Sequence, residues 1–502
     1  MQNTLVQLLY NSAHRLPDKD AVVLGKQRMS YRELWEKACG LAHHLVDAGL
    51  QPGDRVALLS ENSPEYVASY YAVLMGGGAV VGLNTAARAR DLANWIRHSE
   101  SSWLIASRRH GELAVIQDIL GSAPVHYLLI DENAQDGWHA IDGHSMPPES
   151  RMDFRPETQL ASLIYTSGTT GQPKGVMLSH RNLLANVESI LSYLKLDEND
   201  SVLNVLPFYY SYGNSVMHTH LAAGATLFLE NSMLYPQRVV SLMEQCRVTG
   251  FSGVPSTFTL LLRRTKLSEF DLSSLRYLTQ AGGAMTPANI ERVKRELPNV
   301  DFFVMYGQTE ASARLSYLPP DQLENKAGSI GIAIPGVELK VMDEHFRPAA
   351  INSTGEIYAR GENIMLGYWK DPQASQQVFH DGWLKTGDLA YMDDDGYLFI
   401  VGRSSEMIKS GAHRISPRDI EEVILELEGV EEVAVVGVDD ELLGQAVKAV
   451  IVTSPGYNID KKQVMHHCKT SLANYKLPKY VDFADDIPRT ASGKVRRFML
   501  QK

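Results

Sequence analysis

Apolar positions along LWEKACGLAHHL recur at helical spacing, with Leu34, Ala38, Leu41, Ala42 and Leu45 on one stripe. Ser30 and Glu33 form a capping box ahead of it, and Gly49 stands where such a helix stops. GDRVALLS then reads as a short buried strand. Ser63 and Pro64 open the next helix, serine at the N-cap and proline in the first turn. Val67 to Ala87 carries no charge, yet Gly76, Gly77, Gly78, Asn84 and Thr85 interrupt it. That predicts a buried helix running into the strand AVVGLN, not a membrane span. Helix and strand signals alternating in this way predict parallel sheets with helices on their faces.

The pattern changes over 340–403. LKVMDEHFRPA, TGEIYARG and GYLFIVGR are short strands separated by Gly, Asp and Pro turns, which suggests a small antiparallel or barrel-like unit. After Arg403 a third texture begins. Ser416-Pro417 starts a helix that runs through IEEVILELEG to a glycine, EEVAVVGV and GQAVKAVIV are strands, and a second helix covers roughly Lys462 to Leu472. The expected fold is α/β. A large N-terminal domain of helix-flanked sheets (1–403) includes a barrel-like subdomain (340–403), and a small α+β domain follows (404–502).

Length agrees with more than one core, since 502 residues exceed what a single core organises. With 44% hydrophobic and 21% charged residues the composition is that of a globular protein. A formal net charge of −11 argues against non-specific nucleic-acid binding, which depends on Lys and Arg neutralising phosphates. Cys39, Cys246 and Cys468 are far apart and read as free thiols of a reducing compartment. The N-terminus lacks a basic start followed by a long apolar run, so a cytoplasmic location without an integral membrane segment is expected.

YTSGTTGQPKGV, residues 165–176, holds four serine and threonine hydroxyls, three glycines and one lysine. It fails the P-loop pattern, because Pro173 stands where that motif has glycine. Its chemistry still suits an anion: glycines let backbone N–H groups approach, hydroxyls donate, and Lys174 adds charge. LASLI before it reads as a strand and NLLANVESILSYL after it as a helix, a usual setting for a phosphate. Composition alone fits an ordinary surface loop equally well.

The segment resembles the phosphate-binding signature of the superfamily that includes acyl-CoA synthetases, luciferases and peptide-synthetase adenylation domains. Further motifs appear in that superfamily's order: QAGGAM at 280–285, YGQTE at 306–310, TGE at 354–356, GYW at 367–369, KTGDLA at 385–390, GRSSEMIKSG at 402–411 and RTASGKVRR at 489–497. The resemblance implies a two-step reaction in which a carboxylate attacks the α-phosphorus of ATP and a thiol then attacks the acyl carbon. Pushing one anion onto another requires positive charge and oriented donors at the α-phosphate.

Carried over residue by residue, the resemblance makes Lys494 the catalytic lysine and Glu310 the Mg²⁺ ligand, with Thr309 donating to the α-phosphate. Thr166, Ser167, Gly168, Thr169, Thr170, Gly171 and Lys174 would surround the β- and γ-phosphates. Gly282, Gly283, Ala284 and Gly307 would border AMP, with Tyr306 on the adenine and Asp388 and Arg403 at the ribose. Each has a plainer reading: a solvated lysine, a surface glutamate, a structural ion pair. The small domain would be mobile, turning about Ser405, where the family usually carries Asp or Lys. Ala412 replaces a usual glycine beside the incoming thiol arm.

The resemblance also makes 206–225 the acid-reading segment. Tyr209, Tyr210, Ser211, Tyr212 and Gly253 are its candidate lining, although each tyrosine serves equally as core. Ser211 stands where amino-acid-activating relatives carry an aspartate, and a buried ammonium without a counter-ion is expensive, so an α-amino acid is disfavoured. A fatty or other aliphatic acid is expected first and an aryl acid second, with coenzyme A or an acyl carrier protein as acceptor. A luciferase-like oxygenase, a stand-alone adenylation domain and a regulatory nucleotide binder are the alternatives.

Overall fold

The computed structural model describes residues 4–130, 157–166, 174–285, 287–404, 406–411, 413–489 and 495–501. The expected helices form where their signals lie. Tyr31–Asp47 is capped reciprocally by Ser30 and Glu33, and Gly49 follows it at φ +106°. Pro64–Met75 starts from Ser63, whose side chain accepts from Tyr66 N; every residue of this helix except Glu65 in its first turn is buried, which explains the absence of charge from Val67 onward. It feeds the strand Ala79–Gly82. Among the described residues no helix is long and apolar enough to cross a membrane.

Packing divides the chain into two compact units. The first comprises residues 1–327, 331–338 and 360–384, and the second 328–330, 339–359 and 385–502. The first holds two large sheets. One orders its described strands as Gly367–Tyr368, Lys174–Ser179, Leu160–Thr166, Ala79–Gly82, Arg55–Leu59, Ser101–Ala106 and His126–Leu129. The other runs from Ile332–Ala333 through Ser316–Leu318, Asp301–Tyr306, Tyr277–Gln280, Gly250–Gly253, Ser201–Asn204 and Thr226–Leu229 to Asp20–Leu24 and Gln27–Ser30. Its centre is parallel and its edges antiparallel. The helices Tyr31–Asp47, Pro64–Met75, His180–Leu194 and Ser211–Ala223 contribute to one large core with strands of both sheets.

In the second unit Asp388 pairs with Arg403 where Trp383–Met392 meets Leu398–Arg403, two antiparallel strands of the curled sheet predicted as barrel-like. Farther on, Val430–Asp440 and Gly444–Thr453 form a long antiparallel pair, joined by Tyr480–Phe483 and by Ile408–Ser410 with His413–Ile415. Helices Pro417–Leu425 and Lys461–Ser471 bury Ile420, Ile424, Val464 and Cys468 in its core. The first of these helices ends at Leu425, before Gly429 at φ +89°. Ser416 does not cap it with its side chain; its hydroxyl donates to Val401 O at 2.6 Å. The fold is thus mixed α/β, with a large N-terminal domain, a curled sheet and a separate C-terminal domain.

One local expectation changes. The glycine-rich segment does not lead from a strand directly into a helix. Lys174–Ser179 is itself a strand, antiparallel to Leu160–Thr166, and the helix begins only at His180. Val176 and Leu178 are fully buried in this strand.

Candidate active site

The ends of the glycine-rich segment are fixed by a ladder: Thr166 faces Lys174 across the two strands. Ser167, Gly168, Thr169, Thr170 and Gly171 lie outside the described residues, as do Ser405, Ala412 and Lys494. Lys174 Nζ stands 4.8 Å from the centroid of the Tyr368 ring, within cation–π range. The Tyr368 hydroxyl donates to Glu310 Oε1 at 2.8 Å. One aromatic side chain therefore links Lys174, the lysine of the candidate phosphate loop, to the candidate metal ligand.

Chain segments far apart in sequence hold that link in place. Residues 366–369 run along the strand Lys174–Ser179, with Leu366 N donating to Met177 O and Trp369 N to Gly175 O. Met365 N donates to Glu310 O at 2.9 Å. Asn182 closes a capping box with Ser179, and its Nδ2 donates to Glu362 O and Ile364 O at 2.7 Å each. Asn363, fully buried, donates to Ala311 O and Arg314 O.

The candidate acid-reading segment meets the same place. Ser211 begins the helix Ser211–Ala223, and its Oγ lies 3.2 Å from Thr309 Oγ1. Tyr212 is turned inward: its hydroxyl donates to Thr279 O at 2.9 Å, burial raises its pKa, and it serves the core. Tyr209 and Tyr210 meet edge to face at 4.7 Å, and burial pushes the Tyr209 phenol up to about 12. Tyr210 Oη accepts from Asn84 Nδ2 at 3.2 Å. Gly253 packs on its own following helix, where a Cβ would come within 3.0 Å of Thr257 Cγ2.

Two glycines of the candidate wall have structural reasons of their own. Gly282 has φ +87°. At Gly307 a Cβ would stand 2.1 Å from Ala313 O, so the chain can close there only without a side chain. Gln280 Nε2 donates to Gly283 O at 2.8 Å, fixing the turn that continues to Ala284. Tyr306 ends the strand Asp301–Tyr306 beside them. In the second unit Arg403 grips Asp388 through Nε at 2.7 Å and Nη2 at 3.4 Å. Both Asp388 oxygens take part, and its side chain is only 8% exposed.

Two residues in or near the site were not singled out from the sequence. Tyr368 lay within GYW, a motif noted without a role. Arg314 lies four residues past Glu310, as a lone cation among Ala311, Ala313 and Leu315. It is 3% exposed. Its Nε is 3.4 Å from Met305 Sδ, Nη1 is 3.4 Å from Ala313 O, and its guanidinium carbon stands 4.0 Å over the Tyr212 ring.

No three or more His, Cys, Asp or Glu side chains gather into a metal cage among the described residues. Glu310 is a single carboxylate braced by a phenol, which fits an ion held mainly by substrate phosphate oxygens.

The chain is similar over its length to known proteins. Residues 9–369 match the family model "AMP-binding enzyme" and 419–494 match "AMP-binding enzyme C-terminal domain". A long-chain-fatty-acid–CoA ligase of Bacillus subtilis is 32% identical over 99% of this chain and 94% of that protein. A feruloyl-CoA synthase of Amycolatopsis sp. is 35% identical over 96% of this chain and 95% of that protein. The crystal structure of ATP-bound MatB from Rhodopseudomonas palustris superposes with a TM-score of 0.91 at 30% identity, covering 100% of this chain and 98% of the other. The chain belongs to the AMP-binding enzyme family, in the adenylate-forming superfamily and of the acyl-CoA ligase type.

Proposed function

We propose that the protein joins an aliphatic carboxylic acid to the thiol of coenzyme A through an acyl-adenylate, splitting ATP to AMP and pyrophosphate. The reading rests on the line Lys174–Tyr368–Glu310, with Thr309 and Ser211 beside it. This line places a cation, a carboxylate and hydroxyl donors together, the set that a triphosphate and its counter-ion require. Glu310 would hold Mg²⁺, which when bound supplies charge neutralisation at the phosphates. Thr166, the glycine-rich segment and Lys174 would hold the departing pyrophosphate, and Thr309 would donate to the α-phosphate. Gly282, Gly283, Ala284, Tyr306 and Gly307 would border the nucleotide.

Asp388 would accept from the ribose hydroxyls, its carboxylate kept oriented by Arg403. Lys494 would meet the substrate carboxylate and the α-phosphate. On this reading residues 1–403 form the adenylation core and 404–502 the domain that carries Lys494. The acid is read as aliphatic because no acidic side chain stands at 211 to pair an ammonium, and Tyr209 and Tyr210 offer an apolar lining. Relatives named for long-chain fatty acids and for ferulate support a carboxylic acid as substrate and coenzyme A as acceptor. A carrier-protein thiol is the other acceptor compatible with the chemistry.

The test is ATP–pyrophosphate exchange over fatty, aryl and amino acids, followed by coenzyme A-dependent AMP release. Exchange with an aliphatic acid is expected, and Lys494→Ala should nearly abolish it. Exchange with amino acids alone would remove the assignment at Ser211. Near-normal exchange in Lys494→Ala would remove Lys494 from the chemistry.

A further inference from the structure

Arg314 is buried to 97% without a carboxylate beside it among the described residues. A guanidinium is always charged, and taking it from water is expensive unless paired. Its present contacts are weak for a buried cation: a thioether, its own neighbour's carbonyl at 3.4 Å, and the face of Tyr212. Tyr193 faces it as well, and Arg314 opposes the upward push of burial on that phenol. None of these carries a negative charge.

The position is not remote from the chemistry. The Arg314 backbone closes directly on Gly307, where a Cβ would be 2.7 Å from Arg314 Cα. Tyr212, under the guanidinium, follows Ser211, whose hydroxyl reaches Thr309. Arg314 thus stands between the YGQTE segment, which would hold the nucleotide, and the start of the helix Ser211–Ala223, which would receive the acid. Asn363 and Asn186 both donate to its carbonyl, so its backbone is fixed. A planar, always-charged group so held suits bidentate recognition of a carboxylate.

We propose that Arg314 pairs with a second carboxylate on the substrate, so that the acid activated is an aliphatic dicarboxylic acid, adenylated at one end and read at the other. This rests on the acid–thiol ligase reading. The opposing possibility is that the tyrosine face and the carbonyl alone keep Arg314, as a structural cation in an apolar acid site.

The experiment is pyrophosphate exchange by the full chain with succinic, glutaric, adipic and pimelic acids, each against the monocarboxylic acid of the same carbon number. At least one diacid should exceed its monoacid by roughly thirtyfold or more in kcat/KM, the effect of leaving a buried charge unpaired. Arg314→Leu should lower exchange with the diacid at least about tenfold more than exchange with the monoacid, erasing the preference, and Arg314→Lys should retain part of it. Monoacids preferred throughout the series by the unaltered protein would overturn the inference and leave the ligase reading intact. So would equal losses for both acids in a folded Arg314→Leu protein. Should Arg314→Leu not fold, the preference of the unaltered protein and the Arg314→Lys result decide. Absence of exchange with every acid would instead overturn the ligase reading, and this inference with it.

Discussion

Tyr368 makes two unlike contacts at once: its ring faces the Lys174 ammonium and its hydroxyl donates to Glu310. Tyr368→Phe removes only the second. The carboxylate then loses a donor that orients it, a contribution of about 1 kcal/mol, or roughly fivefold in an equilibrium. The expected result is a Mg²⁺ concentration for half-maximal pyrophosphate exchange that rises several-fold with unchanged folding; an unaltered Mg²⁺ curve would show that the phenol does not orient Glu310. This contact could not be read from the sequence. GYW was visible as a motif, and Glu310 as a candidate, but 58 residues separate them and only the fold brings them together. Arg314 is the same case, since its burial depends on Tyr212 and Tyr193, about a hundred residues before it. The tyrosines show the reverse difficulty. YYSY reads alike for a lined pocket and for a core, and only the hydrogen bond to Thr279 assigns Tyr212 to the core.

Among the elements, the helix His180–Leu194 has a double duty. Its cap is Ser179, and the partner of that cap, Asn182, also binds the carbonyls of Glu362 and Ile364. Ser179→Ala should cost about 1 kcal/mol, as a lost cap. Asn182→Ala should cost roughly 2–3 kcal/mol, because it also strips the donor from two carbonyls. Urea unfolding of the two variants measures the difference, and equal losses would mean that Asn182 acts only as a cap. Elements with local signals were legible: the Ser30–Glu33 box, the Ser63-Pro64 start and the charge-free run Val67 to Ala87, a buried helix leading into a strand, all formed as read. The strand Lys174–Ser179 was not, because its short alternation follows a glycine-rich run and its partner strand decides its state. Gly49 stops its helix from the place directly after the Ala48 cap, with Leu50 N donating to Leu45 O, whereas Gly429 lies three residues beyond Glu426, the cap of its own helix.

The first unit as a whole depends on histidines kept neutral. Burial lowers His180 and His220 to about 4 and His218 to about 3. His218 Nδ1 meets the Tyr71 hydroxyl at 2.9 Å, and His220 Nε2 meets that of Tyr277 at 2.6 Å. In the unfolded chain these rings take protons below about pH 6.5. Their folded values are depressed, so the stability they allow is complete above that pH and is lost as pH falls toward 4. Each ring should withdraw on the order of 1–2 kcal/mol by pH 5. The urea midpoint followed by circular dichroism should therefore fall between pH 7 and pH 5, and a level midpoint would mean the rings are not held neutral. The seven-stranded sheet carries a consequence for synthesis. Among the described residues its strand Lys174–Ser179 is paired on one edge by Gly367–Tyr368, which the ribosome completes 194 residues after Lys174. At about 5–20 residues per second that edge stays bare for roughly 10–40 s. A nascent chain of this length, with most of its first unit already made, displays an unpaired strand that a chaperone must shield or a neighbouring chain can capture.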